Sequence, residues 1–258
     1  MVRGLNLFSE HFREFDDSYI LIGGSACDLW MKSVGQPFRS TNDLDIVIVI
    51  ETLSAAFAKR FWEFVFLAKY QIGEKSNGKK VFYRFHKPGN AAYPFMIELF
   101  SRKPFNFEID SSFKLSPIPI DADVSSLSAI LMDDDYYHFV ISNKMNEDAT
   151  GVSYTPAIVL IPLKVKAWLD LTLRSSLGEI IDQKDIKKHR NDVFRLIRTL
   201  TEEDRVTLPE SVLKDVGEFI AHMKKLDENE IHSIAQSIQV KRFDLKDDLN
   251  RIEMIYGL

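Results

Sequence analysis

The chain has 258 residues, with 33 Lys and Arg against 38 Asp and Glu and a formal net charge of −5. That balance excludes attraction of the whole molecule to nucleic acid, so any RNA contact must come from a local patch. The single cysteine, Cys27, excludes an internal disulfide and fits a reducing compartment. No segment reaches the roughly 18 uninterrupted apolar residues of a membrane span, and the N-terminus lacks the apolar stretch of a signal peptide. A cytoplasmic protein with no membrane contact is expected. A hydrophobic fraction of 45 % supplies a real core, in one large domain or two modest ones.

Residues 4–15 read as a short amphipathic helix, with Leu5, Phe8, Phe12 and Phe15 on one face. Tyr19 to Ile22 is an apolar run of strand type. It leads into Gly23-Gly24-Ser25 and a helix-compatible segment, Ala26 to Lys32, in which Cys27 reads as a small buried filler. A second strand spans Leu44 to Ile50. Leu53, Ala56, Phe57, Phe61, Phe64, Val65 and Ala68 then recur at helical spacing. Ser76-Asn77-Gly78 makes a turn into a β-rich stretch, Lys80 to His86, and Lys87-Pro88-Gly89-Asn90 is a second turn signal. Pro94 to Phe100 is the next strand, so strand, helix, strand, helix and hairpin follow one another in a mixed α/β unit.

Residues 101–150 carry weaker signals. Ser116 to Pro119 reads as extended, Val124 to Met132 as apolar, and Asp133-Asp134-Asp135 as a solvated turn. Tyr136 to Ser142 looks like a strand, and Asn143 to Gly151 like a surface loop. From about residue 155 the period is helical, with Pro162 expected in a first helical turn. Lys184 to Leu200 divides its faces: Ile186, Val193, Leu196, Ile197 and Leu200 form the core stripe, while Asp185, Lys188, Asp192 and Arg195 fall on the other side. Helices near 208–225, 228–238 and 243–256 complete the chain. The expected division is residues 1–152 and 153–258, with a cleft between two lobes.

The chemistry concentrates between Gly23 and Asp45. Glycines let a backbone approach a phosphate closely, and a helix that starts there offers it unpaired N–H groups. Asp43 and Asp45 sit two apart in a strand, so they point the same way, about 7 Å apart along the backbone. Paired hard oxygen ligands at that spacing suit Mg²⁺ carrying a nucleoside triphosphate. Glu98 places a further carboxylate in the apolar run Phe95 to Phe100, read either as a buried acid that needs a partner or a metal, or as an edge-strand glutamate facing water.

This pattern, an apolar run, Gly-Gly-Ser, a spacer and Asp-Leu-Asp-Ile, resembles the signature of the DNA polymerase β-like nucleotidyltransferase superfamily. Arg39-x-Thr41-x-Asp43-Leu44-Asp45-Ile46 is similar to the strand entry of its AbiEii-type branch, known mainly as toxins of toxin–antitoxin systems. The 17 residues between Ser25 and Asp43 make a longer spacer than the superfamily's usual one. Lys164, Val165 and Ala167 match a second motif of that branch. Lys188 and Asp192 match a third, in which His189 stands where an Asp would be.

The resemblance implies an α+β fold: a polymerase β-like mixed sheet core with helices, followed by a C-terminal α-helical bundle. It implies transfer of a nucleoside monophosphate from NTP to an acceptor hydroxyl, on a tRNA or other RNA or on a protein, with an antitoxin protein as a further partner. Asp43, Asp45 and Glu98 would then be the catalytic, Mg²⁺-binding acids. Gly23, Gly24, Ser25, Arg39, Thr41, Lys164, Lys188 and Asp192 would bind the nucleotide. Between residues 184 and 198, six Lys and Arg against two acids give the basic patch that an RNA backbone would need. One alternative is a small-molecule enzyme of the aminoglycoside-modifying kind. Another is a catalytically silent nucleotide- or RNA-binding module.

Overall fold

The computed structural model describes residues 2–49, 51–52, 54–74, 80–100, 102, 133–240 and 242–258. The chain divides into two compact units, Met1–Pro156 and Ala157–Leu258.

The first unit is built on a mixed seven-stranded sheet of order β3-β4-β5-β2-β1-β7-β6. Its elements are α1 (Leu5–His11), a 3₁₀ turn (Arg13–Phe15), β1 (Tyr19–Ile22), α2 (Gly23–Ser33), β2 (Asp43–Ile48) and α3 (Ala55–Ala68). After these come β3 (Gln71–Glu74), β4 (Lys80–His86), β5 (Met96–Phe100), α4 (Asp134–Ser142), β6 (Met145–Asn146) and β7 (Ser153–Tyr154). β2 is central: it runs antiparallel to β1 and parallel to β5, whose other neighbour, β4, is antiparallel.

Alternation along the strands separates two faces. Tyr19 and Phe85 belong to the face covered by aromatic helices. Tyr19 meets Phe8 edge-on at 5.1 Å, and Phe85 meets Phe61 at 5.4 Å, in the edge-to-face geometry that the ring quadrupole favours. α3 starts cleanly because the Ser54 hydroxyl accepts from the Phe57 amide at 3.1 Å. The residues between, Asp43, Asp45, Arg84 and Glu98, lie on the opposite face.

Three expectations need correction here. Tyr136 to Ser142 is helix, not strand. The Asp133 side chain caps it by accepting from the Asp135 and Tyr136 amides. Tyr136, Tyr137, Phe139 and Val140 are the buried positions, a 3.6-residue stripe that aromatic and β-branched composition disguises. β3 was not expected; it pairs with β4 through a register shift between Ile72 and Gly73. β6 falls within what reads as a plain surface loop, Asn143 to Gly151, and pairs with β7 just beyond it. The readings at 76–78, 116–119 and 124–132 lie outside the described residues.

The second unit is helical: α5 (Ala157–Ser176), α6 (Gln183–Ile197), α7 (Glu210–Met223), α8 (Glu228–Ile238) and α9 (Leu245–Tyr256). Its caps are legible in sequence. Asp227 and Glu230 form a reciprocal capping box on α8, and Gly257 ends α9 in the left-handed region with φ 73°. Pro162, however, lies inside α5 and not in its first turn. A proline there leaves the carbonyl four residues earlier, that of Ile158, without its helical donor. The Tyr256 hydroxyl donates to that carbonyl at 2.9 Å, which is how an internal proline is accommodated.

Candidate active site

β1 delivers its chain end to Gly23, where φ is +65°, a value that glycine adopts without strain. A Cβ added at Gly23 would lie 1.8 Å from Asp45 Oδ2, so the carboxylate occupies the space that a side chain would fill. The contact follows from register, since Ile22 pairs with Asp45 across β1 and β2. One residue on, a Cβ at Gly24 would meet Thr41 Oγ1 at 2.7 Å and Arg39 Nη2 at 3.8 Å. Gly23, Gly24, Arg39, Thr41 and Asp45 are thus brought together at the start of α2. Ser25 is fully buried, and its hydroxyl donates to the Ile22 carbonyl at 3.2 Å. An anion at this helix start would therefore meet backbone amides and not that hydroxyl.

The acids line up by strand register. Asp45 pairs with Glu98 across β2 and β5, and Glu98 pairs with Arg84 across β5 and β4. Arg84, Glu98 and Asp45 therefore form one row on one face, at about 4.8 Å per strand. Asp43 sits two residues from Asp45 on the same face, opposite Met96, which pairs with His86. Burial, then the charges of Lys87 and Arg84, hold the His86 imidazole below its ordinary pKa.

Glu98 is 9 % exposed, and a buried carboxylate needs a counter-charge. Arg84 supplies it: Nε and Nη2 both lie 2.6 Å from Glu98 Oε1. Arg84 and His86 were missed in the sequence. The available signal was alternation: residues 84 and 86 fall on one face of β4, and the register then sets Arg84 beside Glu98 and His86 beside Met96. Among the described residues, no three His, Cys, Asp or Glu side chains converge as a ready metal cage. The donor chemistry nonetheless suits a hard cation, since Asp43 and Asp45 could offer carboxylate oxygens from one face.

The helical residues are placed differently from expectation. Asp192 does not lie on a solvated face; it is fully buried, with Lys164 Nζ at 3.4 Å and Arg195 Nη1 at 3.0 Å. Lys164, expected to bind the nucleotide, is 2 % exposed and faces Asp192. Lys188 is half-exposed and lies 3.6 Å from Asp185. The basic patch is also smaller than its sequence count. Arg190 is buried, which depresses its pKa; Arg195 is bonded to Asp192 and the Ser237 carbonyl, and Arg198 to Asp248 and the Arg242 carbonyl. Lys184, Lys187 and Lys188 carry what remains outward-facing.

Fold and site together define an α+β protein with an acidic row beside a glycine-lined helix start. No protein-family model and no curated protein matches the sequence. Among solved structures, the chain is similar to an antigenic nucleotidyltransferase-like protein from Paracoccidioides brasiliensis. The identity is 13 % and the TM-score 0.46, over 90 % of this chain and 89 % of that one. No described helix is long and apolar enough to cross a membrane.

Proposed function

We propose that the protein is a nucleotidyltransferase that moves a nucleoside monophosphate from an NTP to an acceptor hydroxyl, releasing pyrophosphate. The observation that carries this reading is the placement of Asp45. It packs against Gly23 at the start of α2, shares a face with Asp43, and is in register with Glu98. Asp43 and Asp45 would hold Mg²⁺, which when bound offsets triphosphate charge and favours an attacking oxygen. The chain's own groups position and neutralise. Backbone amides at Gly23 and Gly24 face the phosphates, and Arg39 and Thr41 close over Gly24. Glu98 would bind the metal and help activate the acceptor hydroxyl. A tRNA end or a protein hydroxyl as acceptor, and an antitoxin as partner, belong to the same reading through the AbiEii resemblance. The reduced outward-facing charge on α6 favours a protein acceptor over a long RNA contact.

The test uses each α-labelled NTP in turn with Mg²⁺, total RNA and cell protein. Label transfer and pyrophosphate release are expected from the wild type, and their loss from Asp45→Asn with the fold intact. Full transfer by Asp45→Asn refutes the assignment. A second reading, a silent nucleotide-binding module, is favoured by the Arg84–Glu98 ion pair, which neutralises the third acid internally. It predicts nucleotide binding without metal and no pyrophosphate release.

A further inference from the structure

On the helix-covered side of the sheet, across from Asp43, Asp45 and Glu98, a cavity of about 440 Å³ opens between α1, α3 and the segment at Tyr93. That volume falls in the range of about 300–1,000 Å³ usual for small-molecule sites. Its walls are held by contacts within the chain. His11 Nε2 donates to the Arg60 carbonyl at 3.0 Å, which staples α1 to α3. Gly4 lies so close to Pro94 that an added Cβ would meet its nitrogen at 2.3 Å, which sets the start of α1 against the Tyr93 segment. The Asn90 side chain accepts from the Ala92 amide at 2.9 Å, and that turn delivers Tyr93 to the wall. There Tyr93 meets Phe64 at 4.9 Å and Phe64 meets His11 at 5.1 Å, so the lining includes a continuous aromatic surface.

Charge narrows what such a cavity takes. Glu10, Arg13, Glu14 and Arg60 also line it, two acids and two bases. Arg60 is loosely engaged: Nη2 lies 3.9 Å from Glu14 and Nη1 3.8 Å from Glu63, both beyond hydrogen-bond length. A phosphate dianion would meet the two carboxylates as like charges, and a simple cation would meet the two guanidinium groups. A purely apolar ligand would take water from all four and answer none. A zwitterion satisfies both signs. Its carboxylate suits the planar guanidinium fork, its ammonium suits the glutamates, and a ring beside them gains area and stacking on the aromatic wall. We propose that this cavity binds a free aromatic amino acid, with its carboxylate on Arg60, its ammonium toward Glu10 and Glu14, and its ring along Tyr93 and Phe64. The site lies across the sheet from the acid row, so this ligand takes no part in the chemistry proposed there. The inference stands whether or not the chain transfers nucleotides.

The test is calorimetry and thermal melting of the full chain with L-phenylalanine, L-tyrosine and L-tryptophan in turn. At least one is expected to bind with a Kd of about 1 mM or tighter and to raise the Tm. Its amide, which lacks the carboxylate, and its deaminated acid, which lacks the ammonium, should each bind about tenfold more weakly. Arg60→Gln should weaken binding about tenfold and leave the fold intact, since the Arg60 side chain is 41 % exposed. Leu7→Trp sets a larger ring at the cavity from a residue already 36 % exposed, and should abolish binding. No binding by any of the three at about 10 mM overturns the proposal. So does equal affinity for the amino acid, its amide and its deaminated acid, which would mark a merely apolar cleft. Tighter binding of adenosine monophosphate than of any amino acid overturns it in favour of a nucleotide pocket. Unchanged affinity in Arg60→Gln or in Leu7→Trp places the ligand elsewhere and overturns it as well. If Arg60→Gln fails to fold, Arg60→Lys decides: it keeps the charge without the fork and must bind about threefold more weakly. None of these readouts involves an NTP, so failure here leaves the proposed transfer reaction standing.

Discussion

Asp192→Ala offers a direct test of what the buried charges of the helical unit are for. Asp192 is fully buried, with Lys164 Nζ at 3.4 Å and Arg195 Nη1 at 3.0 Å. Removing the carboxylate leaves Lys164, whose side chain is 3 % exposed, without the acid it faces across α5 and α6. Breaking a buried pair from one side in this way costs about 3–5 kcal/mol. Arg195 is less affected, since it is 19 % exposed and also bonds the Ser237 carbonyl at 2.6 Å. The reverse change, Lys164→Met, leaves Asp192 still paired with Arg195 and should cost only about 2 kcal/mol. Urea unfolding read by far-UV circular dichroism measures the difference. At a slope of about 2–3 kcal/mol per molar, Asp192→Ala should lower the midpoint by about 1.5 M, roughly twice the shift from Lys164→Met. A midpoint shift under about 0.5 M for Asp192→Ala refutes the reasoning. Normal stability accompanied by loss of nucleotide binding would instead make Lys164 and Asp192 ligand-facing groups.

Gly23→Ala should fail for two reasons at once: φ is +65°, and the new methyl would lie 1.8 Å from Asp45 Oδ2. Strain alone costs about 1–3 kcal/mol, and displacement of the carboxylate should abolish Mn²⁺ binding; calorimetry and a thermal melt report the two effects separately. Tyr256→Phe removes the donor to the Ile158 carbonyl, a group that Pro162 leaves without a helical partner, and should cost about 1–3 kcal/mol in urea midpoint experiments. If Pro162→Ala is introduced first, the carbonyl regains its helical donor, and the penalty for Tyr256→Phe should fall by about half. An equal penalty in both backgrounds would mean that the hydroxyl serves something other than that carbonyl.

The parts of the molecule that were legible in the sequence are those governed by short-range rules. β1 runs from Tyr19 to Ile22 as its apolar run demands, α8 spans Glu228 to Ile238 as its capping pattern requires, and the period-two placement of Asp43 and Asp45 puts them on one face. Glu98 could be matched to them only through the resemblance, because strand order is set by pairings between residues more than fifty positions apart. What was not legible depends on neighbours that come from elsewhere in the chain. Asp192 occurs with Asp185, Lys188 and Arg195 in a pattern indistinguishable from a solvated face, since period alone does not say how many sides of a helix are covered. α6 is packed by α5 on one side and α8 on another, so a face that reads as polar became an interior one. The buried acid there is matched by Lys164 from the other helix and by Arg195 from its own.

The same physics links Asp192 and Glu98 and gives them opposite outlooks. Each is a buried carboxylate matched by a cation from a neighbouring element, so each satisfies the requirement that buried charge be paired. They differ in solvent and in alternatives. Asp192 has two cations and no exposure, and any rearrangement would strand a charge. Glu98 is paired with Arg84, whose side chain is 39 % exposed while its own is 11 % exposed. The Arg84–Glu98 pair is thus buried on one side only. A pair buried on both sides is suited to hold two helices together. On that distinction Lys164 and Asp192 read as a joint between α5 and α6, and the chemistry proposed for the chain stays with Asp43, Asp45 and Glu98 of the sheet.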